Sequence, residues 1–360
     1  MEIGLVGLPN VGKSTIFNAL TQGHAASSNY PFTTIDPNVG IVSVPDPRLN
    51  RLAQLFKPLK LTPATIKFVD IAGLVKGASQ GAGLGNQFLS HIREVDAIVQ
   101  VLRLFSDSDV VHTMGHVDPI RDAEVIETEL ILADLQSLEK QLGKLGGMAR
   151  SGDKEAKANL EILERVKKIL NDGKPARQSG YTHEELKPFF FLTAKPILYL
   201  GNEDENPEGK ETELSKKLTQ FAKERNALSL TVSGKLEAEL AQLSSDEERK
   251  TFRDELGIKE TGLEKLIREA YSLLGLITFL TAGPDECRGW TVPKGGNAVL
   301  AARQIHSDIA KGFIKADVYK FADIDKLETE KALQEKGLKR SEGKEYVVQD
   351  GDVCYFHFRA

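Results

Sequence analysis

The 360-residue chain is 41% hydrophobic and 28% charged, with a formal net charge of −5. At about 100–200 residues per domain, this length predicts two or three domains with a sizeable core. Two cysteines exclude a disulfide scaffold, and the acidic balance argues against a protein that coats nucleic acid. No apolar run approaches the ~20 residues of a membrane span, and we expect no signal peptide. We therefore expect a cytoplasmic monomer without a membrane partner, which contacts RNA only through local patches.

Short apolar runs alternate with helical segments along the chain, which predicts an α/β fold with a mostly parallel sheet. The fourth and fifth of these runs are about 90 residues apart, far more than a compact crossover needs, so we expect an insertion there. The predicted strands are Ile3–Val6, Val39–Val44, Thr65–Val69, Ala97–Leu102, Pro196–Leu200 and Leu228–Val232.

The insertion has the pattern of a helical hairpin. Apolar residues recur every three or four positions over 131–145 and again over 160–170, with the glycine-containing breaks 146–147 and 151–153 between them. We predict an antiparallel, coiled-coil-like helical arm over residues 125–190. Its basic turn region is either a docking surface or an ordinary solvated face. The basic residues are Lys140, Lys144, Arg150, Lys154 and Lys157.

The pattern changes near residue 278, where short strand-like runs surround a predicted helix over Ala298–Lys311. This pattern is typical of a small α+β module with its own core. We therefore predict one sheet domain over residues 1–277, interrupted by the arm, and a second domain over 278–360.

Residues 7–15, GLPNVGKST, match the phosphate-loop pattern G-x-x-x-x-G-K-[ST] between a predicted strand and a predicted helix, Ser14–Leu20. In such loops backbone N–H groups face phosphate oxygens, the lysine reaches the β- and γ-phosphates, and the hydroxyl binds Mg²⁺. We assign Lys13 a catalytic role and Ser14 a place among the magnesium ligands. The predicted nucleotide-binding residues of the loop are Asn10, Val11, Gly12, Lys13, Ser14 and Thr15.

Three further segments point to a nucleotide switch. Asp70–Gly73, in the D-x-x-G form, offers Asp70 to hold Mg²⁺ through water and the Gly73 N–H to sense the γ-phosphate. A threonine before the second strand offers another magnesium ligand. We choose Thr34 over Thr33, although spacing leaves both open. The glycine-rich residues 77–85 are expected of a segment that orders when the γ-phosphate is present.

Six motifs occur along the chain: the phosphate loop, YPFTTIDPN (30–38), DIAGLVKGA (70–78), GLGN (83–86), FLTAGPDE (279–286) and GFIKA (312–316). Together they resemble the Obg-related GTPases and, more narrowly, the YchF family of Obg-like ATPases. The resemblance implies a P-loop G domain, a helical insertion, a C-terminal TGS domain over 278–360, and association with the ribosome. It also makes K⁺ a candidate cofactor, because Asn10 is similar to a loop asparagine of relatives that recruit potassium.

Residues 202–205, NEDE, depart from the N-K-x-D motif with which Ras-like GTPases read guanine. A carboxylate one methylene too long cannot match the paired donors of guanine well, whereas adenine has no 2-amino group to satisfy. We therefore predict that ATP is preferred over GTP, with Asn202 positioning the base, Glu203 lining it and the loop at Ser233 contacting it. A GTPase of the same architecture, with Asp204 restoring guanine reading, is the alternative.

Hydrolysis is expected to be slow, because Leu74 stands where Ras-type enzymes carry a glutamine that orients the attacking water. Our preferred additional catalytic residue is His112, on the loop after the fourth strand, and His91 is the alternative. The sequence therefore predicts a nucleotide-switch ATPase that uses Mg²⁺. A nucleotide-gated binding module with negligible hydrolysis remains open.

Overall fold

A computed structural model of the chain describes residues 1–23, 38–72, 83–106, 116–206 and 210–359. The described residues divide into two compact units. The first holds 1–23, 38–40 and the described part of 67–266, and the second holds 41–66 and 267–359. Both units are discontinuous in sequence, so the domain division at residue 277 stays a prediction. Among the described residues, no helix combines the length and apolar character that a membrane crossing requires.

The described helices and strands follow one another in a regular α/β order. Short 3₁₀ turns lie at Ala176–Gln178, Lys187–Phe189 and Leu192–Ala194. The longer elements are β1 (Glu2–Gly7), α1 (Lys13–Gly23), β2 (Val39–Ser43), α2 (Pro47–Phe56), β3 (Lys60–Thr62), β4 (Thr65–Asp70), α3 (Gly83–Glu94), β5 (Ala97–Arg103), α4 (Pro119–Arg150), α5 (Lys154–Asn171), α6 (His183–Leu186), β6 (Ile197–Asn202), α7 (Glu213–Glu224), β7 (Leu228–Val232), α8 (Gly234–Gln242), α9 (Asp246–Glu255), α10 (Gly262–Leu273), β8 (Leu276–Thr281), β9 (Glu286–Pro293), α11 (Ala298–Ile305), α12 (Ser307–Lys311), β10 (Phe313–Lys320), α13 (Phe321–Leu327), α14 (Glu330–Glu335), β11 (Arg340–Glu342) and β12 (Asp352–Phe358).

One sheet has the strand order β2-β4-β1-β5-β6-β7. The pairs β4–β1, β1–β5, β5–β6 and β6–β7 are all parallel. Every residue of β5 and β6 is buried, as expected for strands covered on both faces. This sheet confirms the predicted α/β class and its mostly parallel strands. Because these five strands run in the same direction, the carboxyl ends of β1, β4, β5, β6 and β7 meet at one edge of the sheet.

The predicted arm is formed by α4 and α5, which pack their apolar faces around Leu138, Leu163 and Val166. Asp153 begins α5 by accepting hydrogen bonds from the N–H groups of Glu155 (2.9 Å) and Ala156 (3.0 Å). The structure corrects two boundaries. α4 begins before the predicted limit at residue 125, and it continues through glycines 146 and 147 because packing of the helix outweighs their low helix propensity.

The second sheet has the order β11-β10-β12-β8-β9-β3, and α11 packs on it around Phe279, Val318 and Phe356. Its β3 comes from the N-terminal part of the chain and pairs in parallel with β9. The helix predicted over Ala298–Lys311 is in fact two helices, α11 and α12. They are separated at His306, whose backbone is extended and whose Nδ1 accepts from the N–H of Asp308.

Candidate nucleotide site

The phosphate loop lies between β1 and α1, at the sheet edge where the strands end. Two of its residues have left-handed backbone, Asn10 with φ 66° and Gly12 with φ 87°. Only glycine fits at position 12, because a Cβ atom there would collide with the side-chain amide nitrogen of Asn202. The carbonyl of Gly12 accepts from the N–H of Ile16 (3.1 Å), so the loop passes directly into the first turn of α1. This conformation turns the loop and the start of the helix toward one point, as anion binding requires.

Lys13 and Asp70 meet at this point. Strands β1 and β4 are neighbours, and their register places Asp70 beside Leu5, at the end of the sheet that carries the loop. The Lys13 Nζ donates to Asp70 Oδ1, and the two side chains are only 11% and 18% exposed. The predicted phosphate-binding cation and the predicted magnesium carboxylate are therefore brought together, although 57 residues separate them in sequence.

A cavity of about 970 Å³ opens over the phosphate loop. Asn10, Gly12, Lys13, Ser14 and Thr15 line it, whereas Val11 is buried beneath the loop. Asn38, Asp70, Ala72, His91 and Phe105 also line the cavity. The cavity thus joins the predicted phosphate ligands to the predicted magnesium ligands Ser14 and Asp70.

Asn202 ties the phosphate loop to the far side of the sheet. Its Nδ2 donates to the carbonyl of Val11 (3.0 Å), and its Oδ1 accepts from the N–H of Gly234 (2.9 Å). The side chain is only 6% exposed. Asn202 therefore holds two loops in place. The sequence predicted that it positions the base and did not predict this second role.

The next residue, Glu203, also forms contacts within the protein. The backbone N–H of Glu203 donates to the carbonyl of Val232 (2.9 Å). Burial raises the pKa of its carboxyl, a hydrogen bond from Thr231 opposes this, and the charge of Asp204 adds to the rise. Within the described part of the chain, Glu203 Oε2 is buried without a hydrogen-bond partner.

Asp204 and Glu205 contact two different segments, the residues after β5 and the start of α8. Asp204 Oδ2 accepts from the N–H of Ser106 (3.2 Å), and Glu205 Oε1 lies 2.9 Å from Lys235 Nζ. Ser233, in the loop predicted to contact the base, uses its side chain to begin α8, with Oγ accepting from the N–H of Leu236 (3.4 Å).

Phe105 and Arg103 were missed by the sequence analysis. Phe105 lines the cavity, and Arg103, 2% exposed, places its guanidinium 4.3 Å from the Phe105 ring centroid. The Nε of Arg103 also donates to the Phe105 carbonyl (3.2 Å). In the sequence Arg103 only interrupts an apolar run. A buried arginine stacked on an aromatic ring becomes recognisable only in three dimensions.

Four predicted or alternative site residues lie outside the described part of the chain: Thr33, Thr34, Gly73 and His112. Their roles stay predictions. His91, the alternative to His112, is described: it lies in the last turn of α3, exposed, on the cavity wall.

A parallel sheet, a phosphate loop and an adjoining Lys13–Asp70 pair define the class of P-loop nucleotide-binding proteins. Two family models match the chain: MMR_HSR1, "50S ribosome-binding GTPase", over residues 2–142, and YchF-GTPase_C, "Protein of unknown function (DUF933)", over residues 276–359.

Relatives cover nearly the full length. "Ribosome-binding ATPase YchF" of Bacillus subtilis is 50% identical over 99% of both chains, and the protein of the same name from Haemophilus influenzae is 47% identical over 99% of both. The solved structure of the Schizosaccharomyces pombe YchF GTPase matches with a TM-score of 0.88 and 38% identity, over 99% of this chain and 97% of that one. The chain belongs to the YchF family.

Proposed function

We propose that the protein binds Mg·ATP, hydrolyses it slowly to ADP and phosphate, and acts as a nucleotide switch on the ribosome. The observation that carries this proposal is the Lys13–Asp70 pair at the mouth of the phosphate loop, inside one cavity with Ser14. The names of the full-length relatives, ribosome-binding ATPases, support it.

The residues present fit a magnesium ion. Ser14 and Asp70 both line the cavity and offer oxygen donors, which Mg²⁺ prefers. We propose these two as ligands, with Asp70 acting through water, and Thr34 as a third. When bound, the ion neutralises charge on the β- and γ-phosphates. Asn10, which lines the same cavity, is our candidate for recruiting K⁺.

The chain's own groups supply the rest of the chemistry. The loop N–H groups and the start of α1 hold the phosphates, and Lys13 leaves Asp70 to stabilise charge that develops on the γ-phosphate. Gly73 is proposed to sense the γ-phosphate. We propose His112 as the group that orients water, with His91, in the last turn of α3, as the alternative.

The choice of base is proposed from residues 202–205, because the relatives' names divide between ATPase and GTPase. Glu205, at the position of the guanine-reading aspartate, is paired with Lys235. Asp204, the alternative reader of guanine, accepts from Ser106. Because both carboxylates already have partners within the protein, neither is free to accept from guanine. These contacts therefore favour an ATPase over a GTPase of the same architecture. Phe105 supplies an apolar wall beside Gly12 against which a base can stack.

The partner is proposed to be the ribosome, and the location cytoplasmic, on the strength of the ribosome-binding relatives. The basic residues at the end of the arm are all exposed, which supports a contact with ribosomal RNA through a local patch. These residues are Lys140, Lys144, Arg150, Lys154 and Lys157.

Phosphate release from ATP by the full-length protein tests the hydrolytic part. We expect slow turnover that needs Mg²⁺ and disappears when EDTA removes it. Repeating the assay in potassium and in sodium tests the role of Asn10. Tight ATP binding with no release under any of these conditions would favour the binding module that Leu74 leaves open.

A further inference from the structure

The loops that follow β6 and β7 are joined by three successive interactions. Asn202 Oδ1 accepts from the N–H of Gly234 (2.9 Å), and the N–H of Glu203 donates to the carbonyl of Val232 (2.9 Å). The third is the ion pair between Glu205 and Lys235. Because Asn202 also bonds to the phosphate loop, the two loops lie at the sheet edge where ligands of such folds bind.

We propose that Lys235 is a specificity-determining residue, which favours adenine by occupying the carboxylate of Glu205. This inference rests on the proposed ATPase function and deepens it. Lys235 acts through Glu205 and is therefore a positioning residue. The proposed effect of Lys235 on the choice of base does not depend on a contact between Lys235 and the phosphates.

The chemistry of the two bases explains the direction of the effect. Guanine presents two donors, its N1–H and its 2-amino group, and a free carboxylate accepts from both. Adenine presents an acceptor at N1 and no 2-amino group. A carboxylate paired with an ammonium accepts less well from guanine's two donors, so the pair disfavours guanine.

Of the three carboxylates at residues 203–205, Glu205 is the one that we expect to affect the choice of base, because the other two have different surroundings. Asp204 accepts from the N–H of Ser106, and Glu203 is partly buried beside Thr231. Lys235 and Glu205 are 76% and 46% exposed, so water screens their attraction and the effect on specificity is modest. The hydrogen bond with Glu205 raises the pKa of Lys235, so the lysine stays charged at neutral pH.

The test is a competition titration of ATP and GTP against a fluorescent nucleotide, on the full-length protein with Mg²⁺. Lys235→Gln should shift the ATP-to-GTP affinity ratio toward GTP by about two- to fivefold. Lys235→Arg, which keeps the charge, should retain the wild-type ratio. Lys216→Gln on α7 is the matched control, because Lys216 is also exposed and paired with a glutamate, Glu213 (3.1 Å).

A double-variant cycle separates this role from a general loss of charge. In a Glu205→Gln background there is no carboxylate to release, so Lys235→Gln should leave the ratio unchanged. An equal shift in both backgrounds, or no shift in the single variant, overturns the inference. A wild-type protein without preference for ATP contradicts the proposed function itself, whereas an ATP-preferring wild type with an unmoved ratio contradicts only the role of Lys235.

Discussion

At the scale of single residues, the Lys13–Asp70 pair connects the two halves of the proposed chemistry. Each member has a second partner in the proposed complex, a phosphate for Lys13 and a hydrated magnesium ion for Asp70. Exchange of one charged partner for another keeps both largely buried groups compensated. The pair can therefore open for Mg·ATP without leaving either charge uncompensated.

Lys13→Ala should weaken ATP binding by about 10- to 100-fold, because it removes charge-assisted hydrogen bonds of about 1.5–3 kcal/mol. Isothermal titration calorimetry with a non-hydrolysable ATP analogue measures the loss. Lys167→Ala, at an arm lysine paired with Glu139 (2.6 Å), is the control and should bind like the wild type. Equal affinity of the Lys13 variant and the wild type would exclude Lys13 from the phosphate site.

At the scale of elements, the arm is held together by its own apolar core. Leu138 on α4 is fully buried there, whereas Leu132 on the same helix is 40% exposed. Leu138→Ala should lower the free energy of unfolding by about 2–5 kcal/mol, and Leu132→Ala by less than about 0.5 kcal/mol. Urea denaturation followed by circular dichroism measures both, and similar losses in the two variants would contradict the packing described here.

Asp134 fastens α4 to the 3₁₀ turn before β6. It accepts hydrogen bonds from the N–H of Leu192 (2.7 Å) and from the N–H (2.8 Å) and Oγ1 (2.6 Å) of Thr193. Burial raises the pKa of Asp134 to about 6, although hydrogen bonds from Thr193 and Leu192 and the charge of Arg93 oppose the rise.

This pKa makes a pH-dependent contribution to stability. Because the folded value lies above the unfolded value of about 3.9, the contribution is full below about pH 4 and is lost as the pH rises through 6. The unfolding free energy of the wild type should therefore fall by about 2 kcal/mol, relative to that of Asp134→Asn, from pH 4 to pH 7. Urea titrations across this range measure it, and a constant difference would contradict the assignment.

Local patterns predicted some elements well and could not predict others. The phosphate loop and the strands of the first sheet follow from neighbouring residues, and the structure confirms those strands to within two residues. The position of β3 beside β9 and the stacking of Arg103 on Phe105 depend on contacts between distant segments or on burial. The same is true of the Lys235–Glu205 pair. Neither the periodicity of apolar residues nor the spacing of motifs predicts such contacts.

At the scale of the whole molecule, the chain has a net negative charge, and its proposed partner, the ribosome, is a polyanion. We propose that the two make contact through the basic residues at the end of the helical arm. Reversing three charges there, with Lys140→Glu, Lys144→Glu and Lys157→Glu, should weaken co-sedimentation with ribosomes by about tenfold or more. Nucleotide affinity should stay unchanged. The matched control reverses three exposed lysines of α7, Lys216, Lys217 and Lys223. Equal losses in both triple variants would show only a response to overall charge.

A competition titration of ATP and GTP on the full-length protein with Mg²⁺ measures which base the nucleotide site prefers. The departures at residues 203–205 predict that ATP binds about tenfold or more tightly than GTP. Binding of GTP with equal or higher affinity would exclude a preference for ATP and would favour a GTPase of the same architecture.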